Sequence, residues 1–330
     1  MPKVSILVPV YNVEKYIERC AISLFEQTFD DIEYVFVNDC SQDNSIDILQ
    51  KVIAKYPSRK NSIKLVTHTE NRGLASARNT AIDNAIGDYI LHIDSDDYIE
   101  TNTVKVMYEK AIAENADIVV CNYILEWENA SKFVEQVWKP NNIDFLKDIL
   151  SGEAVPCVWN KLFKRELYIN NDIHAIAGLN FGEDFAVTPR LIYFANRICK
   201  VDNYFIHYIQ FNANAYTKKF NPSHISNISD AFNILENFFK DKQDYSELKP
   251  ALLRGKLRKK IELTISSPKT CWSELFQLFP ETDDIKDYNF LSLHEKIIYF
   301  FIKQNMKNSL VNYLKLYKNI FEIVQSIKGR

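Results

Sequence analysis

The stretch VSILVPVYN, residues 4–12, decides the fold: a short aliphatic run, rich in β-branched side chains, that breaks off at Tyr11 and Asn12. A run of this length and composition is a strand buried on both faces, as in a parallel sheet. The unit recurs. EYVFV (33–37), IKLVT (63–67) and YILHI (89–93) begin 29, 30 and 26 residues after their predecessors. Each gap holds apolar residues at helical spacing: Ile17, Cys20, Ala21 and Leu24, then Ile46, Leu49, Val52, Ile53 and Tyr56, then Leu74, Ala77, Ala81, Ile82 and Ala85. This rhythm predicts an α/β fold, a doubly wound, mostly parallel sheet flanked by helices. A fifth strand is expected at DIVVCNY (117–123), after a helix around 101–115. The pattern loosens from about 124 to 217, and beyond Asn221-Pro222 the chain reads as helical. Two regions are therefore expected, 1–220 and a helical C-terminal region, 221–330.

At 330 residues, 47% hydrophobic and 25% charged, the chain is globular with room for a sizeable core. A net charge of −3 excludes a uniformly basic nucleic-acid binder, so no nucleic-acid partner is expected. The six cysteines lie far apart with no CxxC pair, which argues against a zinc knuckle or a disulfide framework. No leader pattern precedes the first strand, and IIYFFI (297–302) is far shorter than the roughly 20 apolar residues that span a bilayer. The expected location is the cytoplasm.

In open α/β sheets ligands bind beyond the carboxyl ends of the strands. Those positions are polar four times over: Pro9-Val10-Tyr11-Asn12, Asn38-Asp39-Cys40-Ser41, Asn71-Arg72-Gly73 and Asp94-Ser95-Asp96-Asp97. Neither GxGxxG nor GxxxxGK[ST] occurs, so the phosphate cradles built on those loops are absent. If extended geometry persists past residue 93, alternation sets His92, Asp94 and Asp96 on one side. Two carboxylates facing one way suit Mn2+ or Mg2+, whose remaining positions water and diphosphate oxygens fill. Each loop also reads as an ordinary helix cap, Asp97 included. Four in succession favour a ligand site.

In this order and spacing, VSILVPVYN, VFVNDCSQDNS, NRGLASARNTAI and LHIDSDDYIE resemble the family 2 nucleotide-sugar glycosyltransferases of the GT-A fold, over about residues 3–215. WNKLFKREL (159–167), FGEDFAVTPRLI (181–192) and YFIHY further resemble bacterial members that build capsule, exopolysaccharide or lipopolysaccharide units. The resemblance implies a GT-A catalytic domain in 1–220. It implies a metal-dependent, inverting transfer of a hexose or N-acetylhexosamine from a UDP-sugar to a hydroxyl of a growing, lipid-linked glycan. Asp39 would bind uracil, with Pro9, Tyr11 and Asn12 around base and ribose. Asn71 and Arg72 would face the diphosphate, and Arg78 would join them or brace Asp39 or Asp94. Asp94 and Ser95 would meet ribose or sugar, and Asp96 would ligate the metal. Asn38 stands where many relatives carry Asp.

Glu183-Asp184 resembles the family's late acidic pair, with Asp184 as general base and Glu183 orienting the acceptor. Such a group is required, because an acceptor hydroxyl attacks poorly until a carboxylate takes its proton. The plain alternative is a solvated acidic turn after Gly182. Trp159, Asn160 and Lys161 are expected near the acceptor, a core Trp being the equal alternative. His207 and the segment to 218 resemble a loop over the donor, with Lys218 and Lys219 near phosphate, while His92 reads as structural. The basic run LLRGKLRKK (252–260), the tail's excess of Lys/Arg, and Tyr299, Phe300 and Phe301 suggest peripheral contact with the inner face of the cytoplasmic membrane. A solvated face on packed helices fits them equally. Two further functions share some of these features. A nucleotidyltransferase would carry a Gly/Lys/Arg-rich loop where this chain has YNVEKY. An inactive sugar-binding protein would not require Asp39, Asp96 and Asp184 together.

Overall fold

The computed structural model describes the backbone of residues 2–212, 215, 218 and 220–328, and side chains as far as Asn319. Every residue of the first strand, Val4–Val10 (β1), is buried, as its unbroken apolar run requires. The βα units follow as expected: Ile17–Phe25 (α1), Ile32–Asn38 (β2), Ser45–Lys55 (α2), Ile63–Thr67 (β3), Leu74–Asn84 (α3) and Tyr89–His92 (β4). β1 pairs in parallel with both β2 and β4, and β2 with β3.

The chain then forms Tyr98–Ile99 (β5), Thr103–Glu114 (α4), Ile118–Trp127 (β6), Ala130–Val134 (β7), Asn142–Ser151 (α5), Lys161–Lys164 (β8), Glu166–Ile169 (α6), Glu183–Phe194 (α7) and Ile198–Ile209 (β9). The strand order is β3-β2-β1-β4-β8-β6-β9-β5, with β7 paired to β6. The fifth strand expected at 117–123 is β6, which continues to Trp127 to form a hairpin with β7. It does not adjoin β4, because β8 inserts antiparallel between them.

The C-terminal helices are Ser223–Phe239 (α8), Tyr245–Ser266 (α9), Trp272–Leu275 (α10), Leu293–Lys303 (α11) and Lys307–Lys328 (α12). One hydrophobic cluster runs from Leu7 and Val35 of the sheet through Phe145 of α5 and Leu191 of α7 to Phe232, Leu257 and Ile298. Helices α1, α2 and α4 cover the other face around Ile6, Leu24, Leu49 and Met107. α9 crosses α5 at Gly255, where a Cβ would stand 1.9 Å from the Leu150 carbonyl oxygen. The crossing depends on the missing side chain.

The run 252–260 lies within α9, and three of its five cations are taken up inside the helical layer, while Arg254 is exposed. Lys256 is 3% exposed and its ammonium meets Glu236 at 2.8 Å and Glu281 at 2.5 Å. Lys260 is buried 3.8 Å from Asp283, and Arg258 donates to Glu153 and to the Phe290 carbonyl. These cations hold the helical layer together and do not form a basic membrane face. Tyr299 is also buried, donating its hydroxyl to Asp283, whereas Phe300 is exposed. Among the described residues no helix is long and apolar enough to cross a membrane.

Candidate active site

The polar ends of β1, β2 and β4, the start of α3 and the start of α7 open into one cavity of about 1010 Å³. Pro9, Tyr11, Asp39, Asn71, Gly73, Arg78, Asp94, Ser95, Asp96, Trp159, Glu183 and Asp184 all line it.

Asp39 follows β2 and is nearly buried, at 3% exposure. The backbone N–H groups of Arg72 and Gly73 donate to its two carboxylate oxygens, each at 2.8 Å, and the His68 Nδ1 lies 2.7 Å from Oδ1. Gly73 adopts φ 84°, and a Cβ there would come within 2.6 Å of Asn180, so only glycine suits the turn that delivers its N–H. Arg72 itself is exposed and contributes its main chain. Asn12 takes a left-handed conformation and accepts the Gln42 N–H, tying two loops together without lining the cavity.

The strand ends at His92, and the chain turns at once, the Asp97 N–H donating to the Asp94 carbonyl at 3.0 Å. Extended alternation therefore does not bring Asp94 and Asp96 together; the turn does. Asp97 is not a helix cap, since it is buried and accepts the Ile209 N–H at 2.8 Å. Arg19 supports the turn from below, with its guanidinium 4.3 Å over the Tyr98 ring and a hydrogen bond to the Asp96 carbonyl. Burial, then the neighbouring Asp94, push the Asp96 carboxyl above its ordinary value. Asn212 donates to its Oδ2 at 2.8 Å. A hard divalent cation would relieve the repulsion between the two carboxylates. No set of three or more His, Cys, Asp or Glu side chains gathers as a metal cage among the described residues.

Arg78 of α3 is the hub of the inner wall. Its Nη2 lies 2.9 Å from Asp94, 3.7 Å from Asp184 and 3.8 Å from Glu183. Burial opposes its charge, but the three carboxylates outweigh this and keep it a firm cation. Of the two partners proposed for it, Arg78 braces Asp94 and not Asp39. Gly182, at φ 86°, sets Glu183 and Asp184 in the first turn of α7. Burial, then Asp184, push the Glu183 carboxyl up to about 8. Burial also raises Asp184, while Arg78 pulls it back. Asp184 Oδ2 accepts the Val158 N–H at 3.2 Å, and Oδ1 is buried without a hydrogen-bond partner among the described residues.

Trp159 reaches the cavity, edge-on to Tyr123. Asn160 and Lys161 do not: each is 0% exposed. The Lys161 ammonium donates to the Cys157 carbonyl at 2.6 Å and to Asn160 Oδ1 at 2.8 Å. It therefore fixes the loop that carries Val158 to Asp184. His92 is structural as expected, its Nε2 3.0 Å from the Tyr168 hydroxyl. His207 sits between Glu126 and Glu100, and Lys219 lies outside the described residues. Sequence reading missed His68 and Arg19, while Asn212 lies in the segment to 218 that was expected over the donor. His68 immediately follows β3 and was findable by the strand-end rule; Arg19 left no signal.

A mixed, largely parallel sheet whose acidic strand-end loops converge on one cavity defines a GT-A-type fold. The family described as "Glycosyl transferase family 2" matches residues 5–170, half of the 330-residue chain, and the chain belongs to that family. It is 35% identical over 217 residues to the putative glycosyltransferase EpsH of Bacillus subtilis (strain 168), a match covering 63% of this chain and 60% of the relative. It is 31% identical to glycosyltransferase GlyG of Streptococcus pneumoniae serotype 4, covering 62% of this chain and 70% of the relative. The chain thus spans about 60% of the length of EpsH. The structure of S. aureus TarS 1-349 in complex with UDP superimposes with a TM-score of 0.70 at 20% identity, over 96% of this chain and 91% of that one. That likeness shows the fold.

Proposed function

We propose that the protein is a metal-dependent, inverting glycosyltransferase that moves a hexose or N-acetylhexosamine from a UDP-sugar to a hydroxyl of a growing, lipid-linked bacterial surface glycan. The observation that carries this reading is the meeting, in one cavity, of the Asp94–Asp96 turn and the buried Glu183–Asp184 pair, with Arg78 between them. Support also comes from S. aureus TarS, which shares the fold and was solved with UDP and with UDP-GlcNAc.

Pro9, Tyr11 and Asp39 would receive the uridine, and Asn71 and Asp94 the ribose and diphosphate. Asp96, with Asp94 beside it, would hold Mn2+ or Mg2+, which when bound supplies charge stabilisation to the departing diphosphate. Asp184 would take the acceptor proton as the hydroxyl oxygen attacks the anomeric carbon and the bond to UDP breaks, its electron pair leaving with UDP. Burial and Asp184 push Glu183 up to about 8, while the Val158 N–H supports Asp184 as the carboxylate, so Glu183 would keep its own proton near neutral pH. Asp184 is then the member of the pair that can accept. Attack opposite the leaving group inverts the anomeric centre.

The cavity is also lined by Val155 and Pro156 and, as an extension onto α9, by Lys259, Glu262 and Ile265. This extension gives the acceptor room, so residues 221–330 would serve the acceptor side of the catalytic domain in 1–220. The exposed Leu293 and Phe300 of α11 would make any peripheral membrane contact at the cytoplasmic face. The test is UDP release from a panel of UDP-sugars with Mn2+, with and without chelator. Chelator-sensitive release with one donor is expected; no turnover and no nucleotide binding would overturn the reading.

A further inference from the structure

The transfer steps proposed above do not use His68, yet its ring is held at both nitrogens in the site. It lies one residue beyond β3, and its backbone N–H bonds to the Asn38 carbonyl at 2.9 Å, extending the β2–β3 ladder by one step. The ring is therefore carried on fixed backbone, 7% exposed. Its Nδ1 lies 2.7 Å from Asp39 Oδ1 and its Nε2 lies 2.9 Å from the Thr80 hydroxyl on α3. Asp39 accepts there, so the ring presents Nδ1–H to it, while Nε2 and the Thr80 hydroxyl share the second hydrogen bond.

Counting donors on Asp39 shows what remains. Among the described residues Oδ1 receives His68 and the Arg72 N–H, and Oδ2 receives the Gly73 N–H alone. A carboxylate oxygen offers two lone pairs, so Oδ1 is filled and Oδ2 keeps one. Asp39 lines the cavity beside Pro9 and Tyr11. What it offers a ligand is one acceptor in a fixed direction.

We propose that His68, backed by Thr80, is the positioning residue that gives Asp39 this single acceptor and so selects the base of the donor nucleotide. The inference rests on the nucleotide-sugar reading above and deepens it. Uracil presents an imide N–H between two carbonyls and satisfies such an acceptor. Cytosine presents a bare ring nitrogen at the same place, and two acceptors facing each other at the buried Asp39 carboxylate lose a hydrogen bond each. Without His68 the Asp39 carboxylate can rotate about its remaining N–H partners and meet cytosine's amino group instead. Discrimination, and not only affinity, depends on the imidazole.

The experiment measures UDP and CDP binding by calorimetry for the wild type, His68→Ala, His68→Asn and Thr80→Val, with thermal melts of each. The wild type should prefer UDP. His68→Ala should weaken UDP binding about tenfold and shrink the UDP/CDP ratio by a similar factor. His68→Asn, whose amide N–H can stand where Nδ1–H stood, should recover most of the ratio. A structural role alone would not separate Asn from Ala. Should His68→Ala melt out, Thr80→Val, which frees the ring to turn, should still shrink the ratio. UDP binding with an unchanged ratio in both His68→Ala and Thr80→Val would overturn the inference alone. Failure of the wild type to bind UDP would overturn the donor reading and this inference with it.

Discussion

Glu183→Gln should make the protein more stable, by an amount that grows with pH. Glu183 is 8% exposed, and burial followed by the adjacent Asp184 raise its carboxyl from the ordinary 4.5 to about 8, against the pull of Arg78. A folded-state value above the unfolded one means that between those limits the native protein holds a proton the unfolded chain gives up. Wild-type stability therefore falls as pH rises through the window from 4.5 to about 8, and levels off above it. Across that gap the ceiling is about 5 kcal/mol, at 1.36 kcal/mol for each tenfold change in proton affinity. Asp184 competes for the same proton and the cavity admits water, which brings the expected gain to about 2–3 kcal/mol. Glutamine has the same shape and never ionises. Urea denaturation of both proteins at pH 5, 7 and 9 reads the difference, with unchanged m-values confirming the same unfolding transition. The advantage of the variant should be small at pH 5 and greatest at pH 9. A difference that stays constant with pH, or a loss at pH 9, would refute the account of the pair.

Three other substitutions probe other parts of the site. Arg78→Ala strips the shared cation from Asp94, Glu183 and Asp184 and should cost about 3 kcal/mol or more in urea melts, because the remaining buried charges go uncompensated. Asp96→Asn should fold normally, remove a buried carboxyl, and abolish Mn2+ binding in a titration; full Mn2+ affinity would remove Asp96 from the metal role. Gly255→Ala reverses a general expectation. Alanine usually stabilises a helix interior by about 1 kcal/mol over glycine. Here its Cβ would press to 1.9 Å from the Leu150 carbonyl oxygen, and a loss of about 2 kcal/mol with a lowered melting temperature is expected.

The first four strands could be read because β1, β2 and β4 are buried throughout and so consist mostly of apolar residues. The neighbour relations could not. β8 is four residues long and pairs with β4 about 70 positions earlier, a contact that leaves no periodic trace in its own segment. Asp94 and Asp96 were recognisable as a pair, but a tight turn gathers them, and turn geometry is not written in the alternation of a strand. Lys161 and Lys256 misled for one reason. A lysine reads as surface until its partners are known, and theirs are carbonyls of a folded loop in one case and Glu236 and Glu281 in the other. His68 shows the opposite error: it stood at a strand end and was passed over for the more familiar Asn71-Arg72.

The central claim is that Asp184 takes the acceptor proton while the donor is held elsewhere. Asp184→Asn measures it most directly, by paired UDP-binding and transfer assays at neutral pH. The account predicts unchanged UDP affinity with transfer reduced by about 100-fold or more. Transfer within a few-fold of wild type, or loss of UDP binding in parallel with transfer, would contradict it.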